Sequence, residues 1–301
     1  MIQEGDTVRF HEIISGQFLN EYTKKDDTHY IEQWMNIHKL DRSELILYED
    51  DNRLVWNKPV GIVAHEWNKH TEDITMNQLL AYYIIKIAKP NTNAAWKYGE
   101  WGETFKPAFA FRLDKDTSGV LVSAKTYPAL QHINALIREH DIHKEYLAIT
   151  SGNYDLQALS KKWYAIDNDG FLIINDPLFK WYSSNSGRAH VFINSEKGLD
   201  STTKIHLENS SYHEQLWEVS LIHCILETGR MHQIRAHLAH IWLVIIWDIQ
   251  YGLPAINRIA HKFEHIDRQL LHSYRYEFQD LDGKTISVMA PIPDEFNRII
   301  K

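Results

Sequence analysis

The chain is short of cysteine, of glycine and of positive charge, and each shortage narrows what it can be. Cys224 is the only cysteine in 301 residues. An intrachain disulfide is therefore impossible, and a cysteine-based zinc site is not expected. No apolar run approaches the roughly 20 residues that a membrane-spanning helix needs. The first residues, Met1 to Asp6, have neither a basic stretch nor an apolar one, so they do not read as a signal peptide. A cytoplasmic protein with no membrane partner is the expectation. Lys and Arg number 32 against 40 Asp and Glu, a formal net charge of −8. That weighs against a uniformly basic nucleic-acid binder but leaves room for a basic cleft on an acidic body. Hydrophobic residues at 44% and charged residues at 24% mark a globular chain. Its length suits one large domain or two ordinary ones.

The pattern along the chain mixes short strands and helices without regular βαβ alternation, which favours α+β. Leu45–Tyr48 and Leu54–Trp56 read as two strands around the turn 49–52. Met76 to Ala88 is apolar at helical spacing. Val120–Val122 reads as a buried strand, and Tyr127-Pro128 opens a helix with Leu130, Ile133 and Ile137 on its apolar face. Tyr146–Ile149, Ala189–Ile193 and Trp217–Leu226 are strand-like, with Cys224 packing as a small apolar residue. Thr228-Gly229 breaks the chain before a helix whose stripe is Met231, Ile234, Leu238 and Ile241.

Four segments carry the chemistry. They are Ile46–Asp51 with Asn57-Lys58-Pro59-Val60-Gly61; Arg112-Leu113-Asp114-Lys115-Asp116-Thr117-Ser118-Gly119; Lys144-Glu145-Tyr146-Leu147-Ala148; and Thr228 to Leu238, followed by Asp248-Ile249-Gln250-Tyr251-Gly252. In this order and spacing they resemble the pseudouridine synthases of large-subunit ribosomal RNA and some transfer RNAs. The resemblance runs from about residue 45 to the C-terminus. It implies a mixed, mostly antiparallel sheet with flanking helices and a central active-site cleft, with 45–301 as the catalytic domain. Residues 1–13 resemble, over a short stretch, the last strand of an S4-like RNA-binding domain; 14–44 read as a linker holding one short helix.

Isomerising uridine to pseudouridine breaks the N1–C1′ bond, turns the base and rejoins it through C5. The reaction needs a carboxylate able to attack the sugar or the base, a cation that keeps it ionised, an aromatic platform and an acceptor for the C5 proton. It needs no metal and no redox cofactor. By resemblance, Asp114 is the nucleophile, Arg235 its ion-pair partner, and Tyr146 the platform and a candidate proton acceptor. If 112–114 is extended, Arg112 and Asp114 share a face while Leu113 points inward. Arg112 then replaces the extruded nucleotide in the RNA, Thr117-Ser118-Gly119 forms the turn presenting Asp114, and Arg230 lies near Arg112 and Arg235. Without the neighbouring motifs Asp114 is a turn residue, Tyr146 a half-buried strand residue, and an Arg112–Asp114 pair a surface ion pair of little worth. Lys58 reads equally as a structural or an RNA-contacting residue. His232, His237 and His240 lack metal-ligand spacing, which leaves a metal-dependent hydrolase the weakest reading. The expected partner is RNA, ribosomal first and transfer second, and the expected state a monomer. The alternative is a non-catalytic RNA-binding or ribosome-assembly protein on the same fold.

The sequence departs from the family's pattern at Phe111, where relatives usually carry His, and at Trp67, Trp242, Trp247 and Val244. Relatives typically have Gly at the three tryptophan positions and Pro at 244. Glycine serves where φ is positive or backbones approach closely, and Trp replaces neither role cheaply. UGA is read as glycine in some bacterial lineages and as tryptophan under other codes, so a glycine-UGA gene read with the wrong table shows this swap. Composition leans the same way: 13 Gly is low for 301 residues, and adding all 10 Trp brings it near average; not every Trp need be affected, and Val244 is unexplained by this idea. True tryptophans instead predict strain or a shifted loop beside the helix carrying Arg235.

Overall fold

The computed structural model describes residues 42–65, 74–86, 107–152, 164–182 and 189–300, with positions 31–32, 35–36 and 159. The S4-like stretch 1–13, most of the linker 14–44 and Trp67 lie outside them. In chain order the elements are α1 (Arg42–Leu45), β1 (Ile46–Glu49), β2 (Arg53–Lys58), α2 (Met76–Lys86), β3 (Ala108–Phe109), β4 (Ser118–Ala124) and α3 (Tyr127–Glu139). Then come β5 (His143–Ser151), β6 (Ala165–Ile166), β7 (Leu172–Ile174), β8 (Leu178–Tyr182), β9 (Ala189–Ile193), β10 (Thr203–His213) and β11 (Trp217–Leu226). The chain closes with α4 (Gln233–His240), α5 (Pro254–Glu264), β12 (Leu271–Gln279), β13 (Thr285–Met289) and α6 (Asp294–Ile299).

Eleven strands form one sheet in the order β1-β2-β4-β12-β5-β11-β10-β7-β6, with β13 added to β12 and β3 to β4. Among the described strand pairs only β4–β12 is parallel; the rest are antiparallel, which is the mixed α+β architecture expected. The parallel pair lies at the sheet centre, where His272 aligns with Ser118 and Ser273 with Gly119. Gly119 has φ +103°, and a Cβ there would stand 2.0 Å from the Ser273 carbonyl oxygen. Only glycine lets β12 approach β4 this closely.

Burial explains why these segments hold. Every residue of β4 is buried, as are all but the first of β5. Both are interior strands covered on both faces. On α3 the buried stripe is Ala129, Ile133 and Leu136, so Leu130 and Ile137 flank the apolar face rather than centre it. Thr126 caps that helix by accepting from the Ala129 amide, with Pro128 in the first turn.

The segment after α4 turns sharply. The Leu243 amide donates to the Leu238 carbonyl at 2.8 Å, and Trp242 between them has φ 68°. This is a left-handed helix stop, a position that strongly favours glycine. Trp247 (φ 62°) and Trp217 (φ 62°) are left-handed too. The expected strain therefore sits in the backbone at 242 and 247, and 217 joins them. Val244 is simply buried; nothing in the structure explains its departure from proline.

Candidate active site

The Arg112–Asp114 segment leaves β3 as coil and reaches β4 through a turn at Lys115-Asp116. The Thr117 amide donates to the Asp114 carbonyl at 3.2 Å. The turn that presents Asp114 is therefore 114–117; the expected turn at 117–119 is already the start of the strand. As the alternation required, Arg112 is exposed, Leu113 buried and Asp114 half-exposed.

Lys58, at the end of β2, is fully buried beneath this turn. Its ammonium donates to the carbonyls of Pro59 (2.9 Å), Lys115 (2.8 Å) and Thr117 (2.9 Å). Burial lowers its pKa to about 7, against the pull of Asp116 and Asp114. This decides its role as structural: Lys58 shapes the loop and does not meet RNA. On the other side Gln269 donates to the Thr117 hydroxyl (2.6 Å), and His272 Nδ1 pairs with the Ser118 hydroxyl (2.8 Å).

Opposite stands Arg235, on the first turn of α4. Its Nε and Nη2 form a fork on Asp248, at 2.7 and 2.9 Å, and its Nη1 donates to Asp114 Oδ2 at 2.7 Å. Its guanidinium also lies over the Tyr251 ring, 5.1 Å from the centroid. Burial opposes the arginine's charge, but the bonds to Asp248 and the charge of Asp114 outweigh it and push its pKa up. For Asp248, burial raises the pKa, but Arg235 and the amides of Tyr251 and Gln250 leave it below the usual carboxylate value. Asp248 is 1% exposed and Asp114 28%. One guanidinium thus spans a buried carboxylate that fixes it and one that is partly open to solvent. His232 Nε2 lies 3.8 Å from Asp114 Oδ1; burial lowers its pKa, with Asp114 opposing.

The floor is aromatic. Tyr146 on β5 is buried, and its hydroxyl meets that of Tyr276 on β12 at 2.5 Å. Burial raises the Tyr146 pKa to about 12, so near neutrality it is a phenol. It can hold a base, but as a proton acceptor it offers only a lone pair. Phe111 stacks on Tyr276, with ring centroids 4.7 Å apart and planes 6° from parallel; the family's histidine position is here a packing position. Lys144 lies two residues before Tyr146 on the same face. It is buried, and burial lowers its pKa to about 8.

The structure brings together Asp114, Arg235 and Tyr146, whose pKa registers the Asp114 charge. It does not bring Arg230 to them: Arg230 is exposed, and its Nε donates to the Asp200 carbonyl at 3.1 Å. Arg112 makes no ion pair among the described residues; it is close enough to His65 to help lower that pKa, after burial. Asp248, Tyr251, Tyr276 and Lys58 are site residues to which the sequence reading gave no catalytic part. Asp248 had a signal, a carboxylate at a fixed distance beyond the arginine helix. Tyr276 had none, since only the sheet order sets β12 beside β5. Among the described residues no three of His, Cys, Asp and Glu are grouped to hold a metal ion, and no helix is long and apolar enough to cross a membrane.

A half-open carboxylate clamped by a buried arginine, with a buried tyrosine pair nearby, is an arrangement that suits covalent work by an acid. Comparison with known proteins names the family. Residues 52–240 match the family described as RNA pseudouridylate synthase. A "Ribosomal large subunit pseudouridine synthase D" of Xanthomonas campestris is 30% identical over 262 residues, 85% of this chain and 68% of that one. Its namesake in Zymomonas mobilis is 30% identical over 261 residues, 85% of this chain and 71% of that one. Among solved structures, "Human RNA Pseudouridylate Synthase Domain Containing 4" aligns with a TM-score of 0.59 at 18% identity, over 90% of this chain and 98% of that one. That likeness concerns the fold. The chain belongs to the RNA pseudouridylate synthase family and is an RNA-modifying isomerase.

Proposed function

We propose that the protein converts a uridine of ribosomal RNA to pseudouridine, with Asp114 as its nucleophile and 45–301 as the catalytic unit. The 2.7 Å bond from the Asp114 carboxylate to a guanidinium already fixed by Asp248 carries this reading. Arg235 holds one oxygen of Asp114 without blocking the second, which remains open for attack on the flipped nucleoside. Tyr146 supports the ring while the N1–C1′ bond breaks, the base turns and C5 takes over the bond. N1 ends with a proton and C5 loses one, so the conversion is redox-neutral. Arg112, exposed beside the cleft, fills the gap left in the RNA. A binding protein without catalysis has no use for an arginine held at this depth with one donor aimed at an open acid. Ribosomal RNA is favoured over transfer RNA because both relatives compared are named for the ribosomal large subunit.

The test is a map of pseudouridine in total RNA from cells lacking the protein, with the wild-type chain restored. A ribosomal uridine isomerised only on restoration is expected. Isomerisation confined to transfer RNA would overturn the substrate class, and none in any RNA would overturn the reading itself.

A further inference from the structure

Strands β8 and β9 form a two-stranded hairpin apart from the main sheet. One face is packed at Leu178 and Val191, which cluster with Ala236 of α4 while Ile193, Met231 and Tyr251 pack against them; Lys180 and Tyr182, on the same face, are exposed. Its register sets Phe179 opposite Phe192 and Trp181 opposite His190 on the other face. That outer face is a row of rings. Phe179 and Phe192 lie 5.5 Å apart edge to face, and Trp181 and His190 are 6.3 Å apart. Trp181 is 49% exposed and Phe192 44%. Exposed rings side by side on a two-stranded sheet are unusual where nothing covers them.

Two observations say what covers them. First, the hairpin is tied to the catalytic cluster. The Val191 amide donates to the Tyr251 hydroxyl at 3.1 Å, and Tyr251 lies beneath Arg235, the partner of Asp114. Gln250, two residues after Asp248, donates to the Ala189 carbonyl at 3.1 Å and approaches His190 Nδ1 at 3.2 Å. Second, its charge runs against the rest of the chain. From 178 to 193 the sequence carries Lys180 and Arg188 and no Asp or Glu, within a chain of net charge −8. Exposed aromatic rings on a segment that carries no acid, beside a site that takes an extruded nucleotide, suit unpaired bases on a phosphate backbone. A protein partner would be drawn to the apolar area but would have no use for the missing acids.

We propose that the outer face of the β8–β9 hairpin is a stacking platform for unpaired RNA bases flanking the target uridine, with Trp181 and Phe192 as its principal rings. The proposal rests on RNA being the substrate, and it adds an anchoring surface outside the cleft.

Binding of a fluorescently labelled short oligouridylate to the full chain, followed by anisotropy, tests it. The measurement uses the Asp114→Asn background, so that turnover does not enter. Trp181→Ala and Phe192→Ala are expected to weaken binding by roughly tenfold each, and Trp181→Phe to restore most of it. Because stacking releases no counterions, the loss should persist in high salt. Tyr212→Ala removes another exposed ring, on β10, and should leave affinity unchanged. Both hairpin side chains point away from the packed face, so unaltered thermal unfolding is the check on folding. Unchanged affinity in folded Trp181→Ala and Phe192→Ala would overturn the proposal while leaving the isomerase reading intact. Loss of self-association in place of RNA affinity would also overturn it, marking a face between copies of the chain. Affinity lost with these rings in a chain that isomerises nothing would uphold the platform and reject the catalytic reading.

Discussion

Arg235 divides the active site into two sides that are built differently. On the Asp248 side the carboxylate is buried and takes both prongs of the fork. It also accepts from the Gln250 and Tyr251 amides. On the Asp114 side a single donor meets a carboxylate open to the cleft. The Asp248 side is a helix and its following loop, packed from within. The Asp114 side is a four-residue turn suspended from Lys58, Gln269 and the Ser118–His272 pair. The same residue type is placed in opposite ways: one aspartate spends its acceptors on holding the arginine, while the other keeps an oxygen that accepts no hydrogen bond from the described residues.

Short of removing the nucleophile, the largest effect is expected from Asp248→Ala. A buried guanidinium stripped of its fork should cost about 3–5 kcal/mol of stability, read by urea unfolding. Turnover should fall as well, because Arg235 loses its position. A loss under about 1 kcal/mol, the scale of an exposed pair, would mean that the two sides do not differ as described. Next is pH, acting on the Asp114 side. His272 is buried, and burial, with Arg268 nearby, lowers its pKa from 6.5 to about 4. A folded-state pKa below the unfolded one means the unfolded chain binds more protons between these values. Stability is therefore fully present above about pH 6.5 and lost as pH falls toward about 4, by at most about 3 kcal/mol. Unfolding curves across that range should show the loss, and His272→Gln should flatten it. Lys58→Met is expected to cost about 2 kcal/mol, since three carbonyls lose their donor while a costly buried charge is removed. Its signature is a fall in kcat with KM little changed, as the turn carrying Asp114 loosens. The smallest effect is on the Asp248 side, where Trp242 is 73% exposed and left-handed. Trp242→Gly should stabilise by about 1 kcal/mol, seen as a raised Tm. Peptide mass spectrometry of the protein from its native cells asks the related question. Glycine masses at 242 and 247 are expected from the recoding argument, and tryptophan masses would end it.

Legibility followed locality. The Asp114 side came almost whole from the sequence, because Arg112 to Gly119 is one continuous string and strand alternation sorts its side chains. Even there the turn was set three residues late, since Thr117 reads as a turn former while Lys58 and Gln269, distant in sequence, fix where the bend falls. Arg235 was given by the resemblance, and the apolar stripe set it on a helix; that helix is shorter than the stripe, with Met231 and Ile241 outside it. Arg230 was expected beside Arg112 and Arg235 from its nearness along the chain, whereas its guanidinium bonds to the Asp200 carbonyl. Tyr276 and Phe111 could not be joined beforehand, as their stacking depends on β12 lying between β4 and β5. The tryptophans at 242 and 247 were flagged by composition and pattern, and their left-handed backbone shows the physical need for glycine there. Trp217 was missed because no motif surrounds it.

The central claim is that Asp114, and not Asp248, acts on the uridine. Release of tritium from RNA carrying uridine labelled at C5 follows the proton that isomerisation must expel. It should be measured for the wild type, Asp114→Asn and Asp248→Asn under matched saturation with RNA. The account predicts no release above background from Asp114→Asn despite normal binding, and slowed but measurable release from Asp248→Asn. Release by Asp114→Asn at the wild-type rate would contradict it.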